Sequence, residues 1–427
     1  MLKIEEHDAV SIRGARIIDP FAGRDEVGDV AVAGGKIVER LPPGARVVEA
    51  EGCIVCPGLW DIHVHLRQPG QSHKETIETG AAAAAAGGFT LVACMPNTSP
   101  PLDEPDRIRW VTQEADRSGH CAVAPVAAVT RGREGREVVD FAALRSAGAV
   151  AFSDDGTGVE DDRVMRAAFD QAARVGAILI QHCEYQTLSA GGVMHLGEVS
   201  RRLGFPGLDP RSEEAMIERD LELCRLTGGR YHVAHISTAK AIELVRQAKR
   251  RGVPVTAEVC THHLVLTDEA CATADPNTKM HPPLRPPADV RACCGGLLDG
   301  TIDAIVTDHA PHTAEEKALG FIKAPAGIIG LETALGLAGR AMVDSGLAGW
   351  PDVVRWFTRG PSAVLGVPRR GIRCGEWADL TLFDPSCRWN VDPGRFLSKA
   401  RNTPFSGQSL LGRSVATIRR RAWRGVA

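Results

Sequence analysis

Ile54-Val55-Cys56-Pro57-Gly58-Leu59-Trp60-Asp61-Ile62-His63-Val64-His65-Leu66-Arg67 reads as a buried strand that ends in chemistry. An apolar run fills a core, and two histidines two positions apart follow it. Residues i and i+2 of a strand point to the same side, so His63 and His65 can reach one metal ion together. His-x-His at the mouth of a buried strand points to a catalytic metal centre, and Arg67 offers a fixed cation for an anionic substrate.

Working outward, the same texture repeats. Short apolar segments fall at 55–63, 90–97, 122–129, 149–153, 177–182, 231–235, 253–259 and 303–307, with helical stretches between them. Near-continuous apolar strands alternating with helices make a parallel sheet covered on both faces. Eight in succession predict an α/β fold of the closed (β/α)8 TIM type. One helix start is expected at Ser72-His73-Lys74-Glu75, which has the Ser-x-x-Glu form of a capping box. The alanines at 81–86 propagate that helix and Gly87-Gly88 ends it. Both chain ends carry short alternating segments with Gly and Asp turns, and these are expected to pair into a small β-sandwich domain. The expected division is 1–55 and 365–427 for that domain and 56–364 for the metal-dependent barrel.

The chain has 427 residues, 44% of them hydrophobic and 24% charged, as in soluble globular proteins. A formal net charge of −3 argues against nucleic acid or an acidic membrane surface as the main partner. No apolar stretch reaches the roughly 18 residues of a membrane span. The polar, acid-bearing first eight residues are unlike a signal peptide, so a cytoplasmic protein is expected. Twelve cysteines then read as reduced thiols. Cys53 and Cys56 form a Cys-x-x-Cys with no second pair at zinc-ribbon spacing. They read as apolar strand residues, and Cys293-Cys294 reads likewise. The arginine-rich segment 418–424 reads as a solvated terminal strand.

The polar residues cluster at the C-terminal ends of the expected strands. Strand one ends in His63 and His65, strand four in Asp154-Asp155, strand five in His182, strand six in His235 and strand eight in Asp308-His309. Barrels of this kind build active sites on that face. Imidazoles and carboxylates without a thiolate suit Zn²⁺ in a hydrolytic site, one or two ions per chain. Such an ion lowers the pKa of water towards roughly 7, and Asp308 is placed to act as general base and acid. Neighbours in a strand point opposite ways, so only one of Asp154 and Asp155 faces the metal. His262-His263 after strand seven read as loop-positioning residues. His73, His120 and His195 read as surface. Glu184 is a candidate to orient His182.

Seven markers together carry a resemblance: 57–67, Met95-Pro96-Asn97-Thr98, Phe152-Ser153-Asp154-Asp155-Gly156, Gln181-His182-Cys183-Glu184, His235-Ile236-Ser237-Thr238, the Lys279–Arg285 run Lys-Met-His-Pro-Pro-Leu-Arg, and Thr307-Asp308-His309-Ala310-Pro311-His312. From about Gly14 to the C-terminal strands the chain resembles the amidohydrolase superfamily and, within it, the bacterial class I dihydroorotases. That resemblance implies reversible, zinc-dependent interconversion of (S)-dihydroorotate and N-carbamoyl-L-aspartate in pyrimidine synthesis. It implies that His63, His65 and Asp308 bind one zinc, that His182 and His235 bind a second, and that Asp155 serves both. It implies Arg67, Asn97 and His312 as the clamp for the substrate carboxylate and ring amide, with the small residues Ala326 and Gly327 against the ring edge. Hydantoinases and allantoinases carry a bridging carboxylated lysine on strand four. No lysine lies in 149–156, where Asp155 stands as in the class I branch. The family usually has Asn where this chain has His281, so that substrate contact is expected to be altered. A homo-oligomer is expected, and assembly with aspartate carbamoyltransferase is left open, since no segment marks an interface.

Overall fold

The computed structural model describes residues 8–419. The sequence readings of the first seven residues and of the arginines within 420–424 lie outside the described residues.

Eight parallel strands lie side by side in chain order: Leu59–Val64, Phe89–Cys94, Ala122–Ala127, Ala151–Phe152, Ile178–Gln181, Arg230–Val233, Val255–Cys260 and Ala304–Val306. The ring closes between the last and the first. Val64 bridges to His309, and the His65 amide donates to the His309 carbonyl at 2.8 Å. Strand parity sorts the side chains. Trp60, Ile62, Leu91, Ala93, Ala124, Val126, Ile178, Ile180, Ala234, Cys260 and Val306 fill one buried cluster inside the ring. Their neighbours Val92, Val123, Leu179, Tyr231, Val233, Val259 and Ile305 join the cluster under the surrounding helices. Strands buried on both sides in this way have no polar face, which is why they read as continuous apolar runs. Full burial of each Val, Leu or Ile side chain among them contributes roughly 1.5–3 kcal/mol.

The run expected as one strand over 55–63 is two. Ile54–Pro57 belongs to a second sheet, and the barrel begins at Leu59. The break falls at Gly58, where a Cβ would stand 2.1 Å from the Thr90 hydroxyl and 2.4 Å from the Asp379 carboxylate. The second sheet joins both chain ends in the order Ser409–Ile418, Leu380–Asn390, Ile54–Pro57, Val10–Asp19, Arg24–Ala33 and Lys36–Val38, with Arg46–Glu49 also beside Val10–Asp19. It has its own apolar cluster around Val10, Ile12, Val32, Leu382 and Ile418.

The expected capping box at Ser72 and Glu75 is displaced. The helix runs Ile77–Gly87 with Thr76 as N-cap and Thr79 reciprocating, and it ends at left-handed Gly88. Glu75 is drawn inward instead. Its carboxylate accepts from the Thr79 and Ser398 hydroxyls and from the Lys399 amide at 3.1 Å, and lies 3.4 Å from His309 Nε2. His195, expected on the surface, is buried. The short pairing of Met194–His195 with Gly207–Leu208 carries it inward, and its Nδ1 lies 3.2 Å from Arg285. No helix among the described residues is long and apolar enough to cross a membrane. Cys53 is half-buried; Cys56, Cys293 and Cys294 are buried; all four are free thiols.

Candidate metal centre and active site

The C-terminal ends of five barrel strands bring six side chains together: His63, His65, Asp155, His182, His235 and Asp308, all buried. The first strand delivers His63 where its pairing to the second is interrupted between Asp61 and Val64. Arg67, His235 and Asp308 have positive φ values of 61°, 33° and 49°. Non-glycine residues seldom adopt that region, and such positions concentrate at functional sites.

His63 Nε2 is 3.3 Å from Asp155 Oδ1 and 3.7 Å from Asp308 Oδ1. His65 Nε2 is 2.9 Å from Asp308 Oδ1 and 3.5 Å from Asp155 Oδ2. His182 Nδ1 and His235 Nε2 are 2.9 Å apart, each 3.7 Å from Asp155 Oδ1. The donor atoms of His63, His65 and Asp308 lie within 4.8 Å of one another, as do those of His63, Asp155 and His235.

The hydrogen bonds fix which atoms face inward. The Glu258 carboxylate, 2.5 Å from His63 Nδ1, can only accept from it, so His63 Nε2 presents a bare lone pair in the neutral ring. The Asn97 carbonyl oxygen accepts from His65 Nδ1 at 2.8 Å, so His65 Nε2 does likewise. His63 Nε2 and Asp155 Oδ1 are buried without a hydrogen-bond partner. Imidazole lone pairs facing carboxylate oxygens need a positive charge between them, either a proton or a metal ion. The residues therefore fit a divalent cation by donor type and by these orphaned atoms. Burial opposes charge on His63, but Asp155 and Glu258 outweigh it and hold the imidazole well above its ordinary range. Burial likewise opposes charge on Asp308, but the His65 hydrogen bond and nearby His63 keep the carboxyl well below the carboxylate range.

The structure separates the two adjacent aspartates. Asp155 points among the histidines. Asp154 turns back to accept from the Val129 amide at 2.8 Å, the Thr130 amide at 3.1 Å and the Thr130 hydroxyl. Arg133, not singled out in the sequence, donates to the Asp155 carbonyl and holds this turn.

The expected clamp residues surround the mouth. Arg67 is buried, donates from Nε to the Pro311 carbonyl at 3.1 Å, and lies 3.4 Å from His312 Nε2. Burial lowers its pKa to about 10, offset in part by Asp308 and Asp155. Asn97 uses its amide group on Asp155 Oδ2 at 3.4 Å and its oxygen on His65, bridging two candidate ligands. His312 Nε2 donates to the Ala326 carbonyl at 2.9 Å. Gly327, at φ 111°, packs so closely that a Cβ would sit 2.6 Å from Ala310 Cβ, a position that only glycine fits without strain. The segment after His312 is pinned. Lys317 donates to the Pro276 and Pro325 carbonyls, and Lys279 to those of Ile322 and Ala324. His281 Nε2 lies 2.5 Å from Glu184 Oε2, which also stands 3.2 Å from His182 Nε2.

The sequence reading missed Glu258, His232 and Asp61 as supports. Glu258 Oε2 is 3.0 Å from His232 Nε2, and Asp61 accepts from the Thr307 hydroxyl at 2.5 Å. An acid inside an otherwise apolar barrel strand was the available signal for Glu258. His73 and His120 are exposed, as expected, and His262 and His263 are buried.

A family model described as Dihydro-orotase-like matches residues 52–241. A dihydroorotase of Pelotomaculum thermopropionicum is 49% identical over 411 residues, 95% of this chain and 96% of that one. A dihydroorotase of Anaeromyxobacter dehalogenans is 46% identical over 418 residues, 96% of each. Among solved structures, an L-hydantoinase (dihydropyrimidinase) from Arthrobacter aurescens superposes with a TM-score of 0.82 over 97% of each chain at 24% identity, a likeness of fold. With nearly half of its residues shared along almost the whole length of both chains, the protein belongs to the dihydroorotase family of cyclic amidohydrolases.

Proposed function

We propose that this enzyme interconverts (S)-dihydroorotate and N-carbamoyl-L-aspartate in pyrimidine synthesis. The observation that supports this most is the facing of bare imidazole nitrogens and carboxylate oxygens at one barrel mouth, beside the buried cation Arg67. In this reading His63, His65 and Asp308 hold one Zn²⁺, His182 and His235 a second, and Asp155 serves both. Zinc bound there supplies a Lewis acid for the ring carbonyl and acidifies water.

The chain's own residues do the rest. Arg67, Asn97 and His312 grip the substrate carboxylate and ring amide, as charge-assisted hydrogen bonds do best. Ala326 and Gly327 meet the ring edge with their backbone, and His281 borders the same space. Asp308, ionised at neutral pH, takes the proton of the attacking water and passes it to the leaving ring nitrogen. Ring closure reverses this: Asp308 removes a proton from the carbamoyl nitrogen, and the side-chain carboxyl of the substrate loses water.

The proposed division of the chain is a barrel over 56–364 and a small domain built from 1–55 and 365–427, with Cys56 and Pro57 drawn into the sheet of the small domain by their pairing to Thr381 and Leu380. A cytoplasmic homo-oligomer is the expected form, and aspartate carbamoyltransferase is its candidate partner. One experiment tests the core of this reading: metal content and dihydroorotate hydrolysis on the same purified sample, with hydantoin and allantoin as controls. Zinc at one or two ions per catalytic centre with selective turnover of dihydroorotate supports it. Turnover of hydantoin or allantoin in preference to dihydroorotate overturns it.

A further inference from the structure

Cys260 ends the seventh barrel strand, and His262 and His263 open the short helical turn Thr261–Leu264 that follows. None of the three belongs to the proposed catalytic set. All three are buried, at 0%, 3% and 2% exposure. The Cys260 sulfur and one nitrogen from each ring lie within 4.8 Å of one another, and the two rings stand 4.5 Å apart.

The nitrogens of this group are poorly satisfied. His263 Nε2 faces the carbonyls of Pro282 at 3.2 Å and Pro283 at 3.3 Å. Carbonyls only accept, so Nε2 carries the proton and Nδ1 is left with a bare lone pair. That Nδ1 and the Nδ1 of His262 are both buried with no hydrogen-bond partner. Two orphaned imidazole nitrogens on adjoining buried rings are costly unless something binds them. Their company is a thiol, and one sulfur with two imidazoles is a donor set that favours Zn²⁺.

We propose that Cys260, His262 and His263 form a further metal site, separate from the catalytic one, which takes Zn²⁺ through one thiolate and two imidazole nitrogens. Binding converts the Cys260 thiol to a thiolate and releases one proton to solvent. The ion then clips the end of strand seven to the turn after it and, through His263, to the 282–283 segment. Burial holds both rings in the neutral form that ligates: His263 is lowered to about 4, by burial first and Arg285 second, and His262 is held well below its ordinary value, while burial and then Asp308 push the Cys260 thiol well above its own, so the ion has to displace that proton.

The catalytic donor set contains no sulfur, so sulfur ligation reports this site alone. The full-length enzyme is prepared with Co²⁺ in place of zinc, and separately with zinc for X-ray absorption. The expected results are a thiolate-to-cobalt charge-transfer band in the near ultraviolet and a sulfur scatterer in the zinc shell. Cys260→Ser is expected to lose both signals and one metal equivalent per chain, while the remaining metal and dihydroorotate turnover persist. Absence of both sulfur signals from the wild-type enzyme overturns the site, and so does their survival in Cys260→Ser. The wild-type measurement needs no variant to fold, and His263→Asn gives a second, sulfur-retaining test through the same loss of one equivalent. Loss of the catalytic metal would instead abolish turnover without touching the sulfur signals.

Discussion

Glu258 Oε1 lies 2.5 Å from His63 Nδ1, and both side chains are fully out of solvent. The other oxygen of Glu258 is 3.0 Å from His232 Nε2, whose Nδ1 is 2.7 Å from the Thr256 hydroxyl. The chain of contacts sets the His63 tautomer and aims its Nε2 at Asp155 and Asp308. Carboxylates behind ligating histidines typically contribute 10–100-fold to metal affinity. Glu258→Gln keeps the shape and an acceptor oxygen but removes the charge. Its zinc affinity, measured by competition with a chelating dye, is expected to fall by about that factor while the fold is retained. Unchanged affinity would reduce Glu258 to a space-filling role.

In the proposed mechanism Asp308 carries the heaviest demand, as ligand and as proton carrier. Asp308→Asn keeps an oxygen near His65 but cannot accept the proton. Removing a positioned general base typically costs about 10²–10⁴ in rate. Loss of that order in kcat is expected with saturating zinc, in both reaction directions. A variant with bound metal and near-normal kcat would show that another group moves the proton.

Arg67 is tested through the substrate. A charge-assisted hydrogen bond contributes about 1.5–3 kcal/mol, so Arg67→Ala is expected to lower kcat/KM for dihydroorotate at least about tenfold. Arg67→Lys is expected to recover only part of this, because a point charge cannot reproduce the planar fork. Steady-state kinetics at matched metal content provides the check. Wild-type kinetics in Arg67→Ala would remove Arg67 from the clamp.

The barrel was legible in the sequence because strands buried on both faces have nothing polar to interrupt them. The six candidate ligands were legible because they follow those runs at the same end each time, whereas Asp61, His232 and Glu258 sit inside the strands. What stayed hidden depends on long-range contact. Gly58 separates two strands because Thr90 and Asp379 crowd it, and no local pattern records that crowding. Glu75 fits a capping box by spacing, yet Ser398 and Lys399, more than 300 positions away, draw it inward. The choice between Asp154 and Asp155 rested on a turn whose partners, Val129 and Thr130, come from the preceding strand and its loop.

Glu332 gives a pH test away from the site. Burial raises its carboxyl from 4.5 to about 7, against the amide hydrogen bonds from Ser398 and Leu397. The folded pKa lies above the unfolded one, so the fold favours the protonated form. That contribution to stability is fully present below about pH 4.5 and is lost as pH rises through about 7. Thermal unfolding of the wild type and of Glu332→Gln, followed from about pH 5 to about pH 8, is expected to show the wild type losing stability relative to the variant. A constant difference between the two would mean that Glu332 titrates normally.

His281 stands half-exposed at the mouth, and its Nε2 is held by the same Glu184 oxygen that meets His182. Burial opposes the charge on Glu184, but the two histidines keep the carboxyl far below its ordinary range. An imidazole so engaged has less to offer a substrate than the asparagine usual in the family. His281→Asn shortens the side chain, leaves Glu184 to His182, and frees an amide for the ring. One neutral hydrogen bond contributes about 0.5–1.5 kcal/mol, so KM for dihydroorotate is expected to fall severalfold, with kcat and metal content unchanged. If metal content and kcat fall together instead, His281 acts by holding Glu184 against His182, and the substrate never touches it.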